Sequence, residues 1–433
     1  METSVLVIIS LLVIMLVLIF MGVPIVIALG ISTTINLIIF TDMRFIFIAQ
    51  NMYSALNNYA ILAVPFFILA SNIMVAAGIS KRLMELAEAF TAGITGGLGM
   101  AGVMACAIFA AISGSSAATV IAIGAILIPG MVEAGYDKRF ATALIACSGS
   151  LGILIPPSIL MIVFGVLADV SIGKLFAAGM LPGVLLTIFL MIYVYIISKK
   201  RKYPKSPQMS FKKRAITVVR NFPSLSVPII ILGGIYSGIV TPTEAAVLAV
   251  FLGLFIGFFL YRELKIKHLL DIFVRSAEMS AMILLIFGFA YSFGWLLALF
   301  EVPDNLSQMM LDSGMGPLMF LLWINIILFF AGDFMDPGSI MIIFTPLIVA
   351  LATTLGINLV HIGIVVTMNL EIGLITPPVG FNLYVGSSLS KLPLYDVMKA
   401  AIPAMLIIGA ALVLITYIPS ISLLLPKLIF GSV

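Results

Sequence analysis

The sequence predicts an all-α polytopic membrane protein built from two repeats of opposite orientation. Three observations carry that prediction. Of 433 residues, 63% are hydrophobic and only 9% charged, where a soluble domain carries about 25% charged residues. Long stretches contain no charge at all. One broken-helix pattern, Gly152-Ile-Leu-Ile-Pro-Pro157, returns 221 residues later as Gly373-Leu-Ile-Thr-Pro-Pro378. This composition excludes a secreted disulfide scaffold, a nucleic-acid binder and an ordinary soluble enzyme. Cys106 and Cys147 lie in apolar runs and read as small buried hydrophobes. His268 and His361 stand alone, and no His/Cys set has zinc spacing.

The elements follow in order. Crossing a bilayer core takes ~20 apolar residues. Thr3–Thr41 holds no charge and is cut by Gly22 and Pro24, so it reads as two spans. Asn58–Ile79 is a third. Lys81–Glu88 reads as a short amphipathic surface helix, with Leu83, Leu86 and Ala87 on one face. Ala89–Val132 is charge-free but interrupted at Ser113-Gly-Ser-Ser116. Its arms, about 98–112 and 117–130, fall short of a full span. They read as a re-entrant hairpin with a polar tip, or as two short spans; both return the chain to the same side. Phe140–Ala168 contains Pro156-Pro157, which removes two backbone donors and breaks the helix. Ile172–Ser198 closes the first half.

Lys199–Arg220 holds nine basic residues and no acid and joins the halves. Spans follow at about 225–240, 245–260 and 277–300, then an acidic loop, Glu301–Asp312. Residues 315–352 are broken at Gly332-Asp-Phe-Met-Asp-Pro-Gly338. Residues 359–388 contain the second Pro-Pro pair, and a last span covers about 400–425. With the linker 199–222 cytoplasmic, 19 of the 22 Lys and Arg fall inside, and only Arg44, Lys174 and Lys427 fall outside. That is the positive-inside bias. Both termini are then expected outside, in the periplasm of a Gram-negative cell.

The 221-residue offset also pairs Gly135 with Gly356, Asp137 with Asn358, and the Ser113–Ser116 tip with Phe334–Pro337. The topology puts one hairpin mouth inside and the other outside. Inverted repeats with broken helices mark a secondary transporter whose sites lie at the midplane. Non-helical backbone is tolerated there only against protein or water. Its free carbonyls and hydroxyls are hard ligands that suit Na+. One cation site is expected at Ser113, Ser116, Gly149, Gly152, Ile155 and Pro156, and its mirror at Gly332, Gly373, Thr376 and Val379. For Ser113–Ser116 the competing reading is helix packing by small residues. Asp333, Asp336 and Glu371 are acids at membrane depth and carry a functional hypothesis by default. Asp336 either accepts from substrate hydroxyls or caps the following helix. Glu371 either titrates or is held by hydrogen bonds. Glu244 reads as half of a capping box. No nucleophile–base pair and no Walker motif is present, so no cofactor is expected and the energy comes from an ion gradient or another subunit.

Ser113-Gly-Ser-Ser-Ala-Ala-Thr119, Gly152-Ile-Leu-Ile-Pro-Pro-Ser158, Gly234-Ile-Tyr-Ser-Gly-Ile-Val-Thr-Pro-Thr-Glu-Ala-Ala246, Asp336-Pro-Gly-Ser339 and Glu371-Ile-Gly-Leu-Ile-Thr-Pro-Pro-Val-Gly-Phe-Asn382 resemble the large membrane subunit of tripartite ATP-independent periplasmic (TRAP) transporters. The resemblance covers nearly the whole chain. It implies the ion-transporter superfamily and an elevator mechanism. Scaffold would then cover 1–89, 171–312 and 391–433, and the moving body 90–170 and 313–390. It implies Na+ as coupling ion and an organic acid as substrate: a C4-dicarboxylate, a sialic acid or another sugar or keto acid. Implied partners are a soluble periplasmic binding protein and a small four-helix membrane subunit. Because Met1 opens directly into the first span, that subunit is expected as a separate chain. Carried over by motif, Ser115, Ser158, Asp336 and Pro337 are the substrate-side residues. A stand-alone Na+- or H+-coupled carboxylate symporter is the alternative, and a channel or membrane scaffold protein is an alternative of another class.

Overall fold

The computed structural model describes residues 2–377 and 380–431. Among the described residues the chain is helical, with no β-strand beyond one isolated bridge between Thr95 and Lys205. Nine helical stretches among them are long and apolar enough to cross a membrane. The core is mostly apolar but also buries polar side chains, among them Ser150, His361, Asn369, Glu371 and Asn382.

The first half runs α1 (Glu2–Phe20), α2 (Ile25–Phe40), α3 (Ile46–Leu56), α4 (Ala63–Ala76), α5 (Ile79–Thr91), α6 (Gly97–Ser113), α7 (Ser116–Glu133), α8 (Lys138–Gly149), α9 (Leu151–Leu154), α10 (Ile159–Leu167) and α11 (Ile172–Arg201). The second runs α12 (Phe211–Tyr236), α13 (Pro242–Phe255), α14 (Ile266–Leu299), α15 (Val302–Asp312), α16 (Pro317–Gly332), α17 (Pro337–Thr354), α18 (Leu359–Gly373), α19 (Phe381–Ser390), α20 (Leu394–Tyr417) and α21 (Ser420–Phe430). The repeat is visible in these limits. α7 and α17 have 18 residues each and start 221 apart, as do α8 and α18. Their caps match too: Asp137 accepts from Phe140 N, and Asn358 accepts from Val360 N.

Several elements differ from expectation. Glu301–Asp312 is helix α15, not a loop; it is the repeat-mate of α5 and likewise buries one face, through Val302 and Ser307. The basic linker is mostly helix, because α11 runs on to Arg201 and α12 starts at Phe211. The final span ends at Tyr417, and Pro419 separates it from α21. α3 had no signal of its own in an apolar background. The capping box at Thr241 and Glu244 is present as read.

The helices pack in two groups that are joined by α5 against α6 and by α14 and α15 against α17. α13 and α14 lie against α4, and α14 also against α2 and α3. The hairpins α6–α7 and α16–α17 pack with α8, α9, α10, α18 and α19, and α11 and α20 side with this second group. Residues 202–210, which follow α11, run beside residues 92–97, which lead into α6. They form a short ribbon: Gly93 N donates to Ser206 O (3.2 Å), Ser206 N to Ile94 O (3.1 Å) and Gly96 N to Pro204 O (3.3 Å).

Candidate functional site

The site is built where hairpin tips meet broken helices. In the first half α6 ends at Ser113 and α7 starts at Ser116. Gly114, in a left-handed conformation (φ 60°), makes the turn. Ser115 caps α7, though its bond from Ala118 N is long at 3.5 Å. The Ser113 hydroxyl lies 3.0 Å from that of Thr119. This tip rests on the first break. A Cβ on Gly152 would stand 2.6 Å from the Ser115 carbonyl oxygen, so only glycine permits the approach. A Cβ on Gly149 would meet Val120 in the same way. The helix then unwinds through Ile155, Pro156 and Pro157 and restarts at Ile159, with a cis bond between the prolines. Ser158 caps the restart: its hydroxyl donates to Ile153 O (2.5 Å) and accepts from Met161 N (3.4 Å).

The second half repeats the plan with other chemistry. α16 ends at Gly332 and α17 starts at Pro337. Asp336 caps α17, accepting from Ser339 N (2.9 Å) and the Ser339 hydroxyl (2.5 Å), so the capping role is realised. Gly332 rests on Gly373: a Cβ on Gly373 would fall 2.8 Å from Gly332 Cα. The helix stops there and restarts at Phe381. Thr376 bonds back to Ile372 O (2.8 Å). Val379, with Pro378, lies outside the described residues.

The two breaks meet each other. Ser150 and Glu371, exact repeat-mates 221 apart, are both fully buried, and their side-chain oxygens are 2.7 Å apart. The Ser150 hydroxyl also lies 2.6 Å from Cys147 O. Each half also reaches into the other. α10 packs on α17 and α18, and α19 packs on α7 and α8. Phe164 of α10 sits against Gly363 of α18, and Gly386 of α19 against Thr142 of α8. Thr142 and Gly363 are again repeat-mates.

Of the expected cation ligands, Ser113, Ser116, Gly149, Gly152, Ile155, Pro156, Gly332, Gly373 and Thr376 are all buried. Of the expected substrate residues, Asp336 is exposed, Ser115 and Pro337 are half-buried, and Ser158 is fully buried with its hydroxyl committed to the cap. The donor set fits a monovalent hard cation. Near the breaks, oxygens of Ser148, Asp333, Asn369, Glu371 and Asn382 are buried without a hydrogen-bond partner, a costly state that a cation relieves. No cluster of three His, Cys, Asp or Glu side chains that could hold a metal ion is present among the described residues. A cavity of about 540 Å³ touches Thr376, Asn325 and Asn369 but is otherwise walled by residues such as Phe329, Ile402 and Leu406. It offers an anion no positive partner.

Three polar residues were given no role by the sequence reading. Asn382 donates to Ser116 Oγ (2.5 Å); Asn369 donates to Asn325 O and Oδ1 (2.9 Å each); His361 lies 2.8 Å from Ser422 Oγ and 3.1 Å from Thr416 O. The available signal was a lone amide or imidazole inside an apolar run, which rarely sits there without a partner.

Two repeats of apolar helices that break and interlock at glycine contacts define a multi-pass membrane permease. The sequence matches the family described as tripartite ATP-independent periplasmic transporter, DctM component, over residues 12–421. The C4-dicarboxylate TRAP transporter large permease protein DctM of Pseudomonas aeruginosa is 40% identical over 400 residues, covering 92% of this chain and 94% of that protein. The isethionate TRAP transporter permease protein DctMQ of Oleidesulfovibrio alaskensis is 40% identical over 401 residues, covering 92% of this chain and 63% of that protein. The solved YdaH transporter of Alcanivorax borkumensis shares the fold with a TM-score of 0.57 at 15% identity, over 89% of this chain and 88% of that one. The chain belongs to the DctM component family and is a TRAP transporter large permease subunit, not an enzyme.

Proposed function

We propose that this subunit imports an organic acid anion across the bacterial inner membrane, driven by Na+ and supplied by a periplasmic binding protein. The observation that carries the reading is the pair of hairpin tips seated on broken helices, with buried, unpartnered oxygens beside them. Ser113, Ser116, Gly149, Gly152, Ile155 and Pro156 hold one Na+, and Gly332, Gly373, Thr376 and Val379 the other. Cations bound there make a pocket without arginine attractive to an anion. Ser115, Asp336 and Pro337 form the substrate side, and Ser158 supports them from below by fixing Ile153 and Met161. The relatives named for a C4-dicarboxylate and for isethionate are equally similar to this chain, so overall identity does not choose the acid.

The second packing group moves as the elevator body. Its membership extends the sequence-based division, since α11 packs on α6 and α20 on α8, and both travel with those helices. Ions and substrate drive the movement by binding its end states unequally. A small membrane subunit widens the scaffold; the greater length of the DctMQ relative is consistent with a fused one.

Sidedness follows the positive-inside count. Contacts respect it: Arg82–Glu263, Arg139–Asp396 and Arg214–Ala92 each join two segments assigned to the cytoplasm, and Asn305–Ser4 and Thr243–Tyr59 join segments assigned to the periplasm. The test is uptake into proteoliposomes holding both membrane subunits, with the binding protein outside. Uptake requires an inward Na+ gradient and the binding protein. Uptake at full rate without Na+ refutes the coupling, and uptake by this chain alone favours an independent symporter.

A further inference from the structure

Asn382 occupies a position that no other polar side chain in the site shares. It is fully buried, one residue into α19, the half-helix that the second repeat inserts into the first. Its Nδ2 donates to Ser116 Oγ at 2.5 Å and to Ala146 O at 3.3 Å. Its backbone N–H donates to Leu374 O at 2.9 Å, across the second break. One residue therefore touches the tip of the first hairpin, the helix leading into the first break, and the near edge of the second break. The repeat-mate of Asn382 is Met161, whose thioether packs on Gly179 of α11, within its own half. The polar tie exists on one side of the pseudo-symmetric core only.

The geometry has an energetic consequence. A serine hydroxyl that accepts from Asn382 has one lone pair left and points its own proton away from both. Such a hydroxyl is oriented before any cation arrives. That orientation lasts only while α19 is docked and Leu374 is in place to accept, which requires the second break to hold its shape. The remaining Asn382 oxygen is buried and has no partner, so the amide is anchored by its donors alone.

We propose that Asn382 is a positioning residue that couples the two cation sites, so that Na+ bound at the second break orders Ser116 for Na+ at the first. This rests on the Na+-driven reading above. Coupling between sites is reciprocal and is commonly worth a 5- to 150-fold change in affinity. Cutting the tie should leave two sites that fill independently.

The experiment compares wild type with Asn382→Leu, similar in volume but without a donor, in the reconstituted complex. Two readouts are taken: the Na+ dependence of uptake, and the rise in Tm on replacing choline chloride with NaCl. The wild type is expected to show sigmoidal Na+ dependence. In Asn382→Leu the Hill coefficient falls towards 1, half-saturating Na+ rises about fivefold or more, and the NaCl-induced Tm rise shrinks. Substrate KM at saturating Na+ stays within about twofold, which a general loss of packing would not spare. Where Asn382→Leu is not recovered from membranes, Asn382→Ser, too short to reach Ser116, takes its place with the same expected outcome. A variant with the wild-type Hill coefficient and half-saturation overturns the inference alone. A wild type whose uptake and Tm both ignore Na+ overturns the Na+-driven reading and the coupling with it.

Discussion

The two hairpin tips share a plan and differ in chemistry. Both end one helix, turn, and cap the next with a side-chain oxygen, Ser115 in the first and Asp336 in the second. The first spans two residues between helices, is buried at Ser113, Gly114 and Ser116, and is tied to Asn382. The second spans four, carries two carboxylates, and leaves Phe334 63% exposed. Uncharged, anchored hydroxyls suit a site that must already be shaped when an ion arrives. A longer, acidic, exposed tip suits a surface that meets substrate and can yield. The backbone repeat therefore sets where the tips are, and a few side chains decide how stiff each one is.

The strongest way to break this comparison is at the glycine contacts. Gly152→Val forces a side chain into the Ser115 carbonyl, and Gly373→Val forces one into Gly332. Neither neighbour is a flexible side chain, so a tip must lift from its break. Overpacking of this kind costs about 1–3 kcal/mol and is spent here on the ion sites. Uptake is expected to vanish in both variants while membrane insertion persists, read by reconstituted uptake beside membrane yield. The Gly152 variant should lose more Tm, because the first tip is the better anchored. Equal losses would mean the tips do not differ in stiffness.

Glu371 gives the next largest effect. It faces Ser150, which lies close to two oxygens but has one hydroxyl proton to give. Gln at this position can donate to Ser150 Oγ, so Glu371→Gln keeps uptake within about twofold with an unchanged pH profile. Glu371→Ala empties a fully buried position where the breaks meet, costing about 2 kcal/mol or more, and lowers Tm clearly. Loss of uptake in a well-folded Glu371→Gln would instead make the carboxyl an ion or proton carrier.

Asp336 separates capping from charge. Asp336→Ala loses bonds from Ser339 N and Oγ, and cap removal costs about 1 kcal/mol. Asp336→Asn keeps the cap and removes the charge. Tm should drop for Ala and hold for Asn. If the carboxylate faces substrate, substrate KM rises in both.

Much of this was legible in the sequence, for physical reasons. Charge-free runs, Pro-Pro pairs and the 221-residue return placed both breaks and both tips, because proline and glycine act locally and lipid enforces the hydropathy pattern. α15 was misread because an acidic stretch between apolar runs looks like a loop; only its mirror, α5, shows why it is a helix. Asn382 stands at the end of the Glu371–Asn382 motif, but nothing local to it names its partner. Its importance arises from a contact 266 residues away, which no periodicity encodes. The contacts of α11 with α6 and of α20 with α8 are likewise set by packing: their composition matches any other span.

The smallest expected effect sharpens the comparison at the hinges. Gly93 and Gly314 are repeat-mates, both left-handed, at the turns where the chain passes from α5 to α6 and from α15 to α16. At the first turn the chain is paired with a second stretch of backbone, through Ser206 and Pro204. At the second, Gly314 N and Met315 N bond back to Leu311 O and Met310 O of the helix just ended. Two crossings joined by hydrogen bonds resist local opening more than one crossing alone. Amide hydrogen exchange should therefore be slower at Gly93 and Gly96 than at Gly316. Ser206→Pro removes the donor to Ile94 and should raise exchange across 93–96 with little loss of Tm. If exchange there does not change, the ribbon does not brace the hinge, and the two turns differ in sequence but not in mechanics.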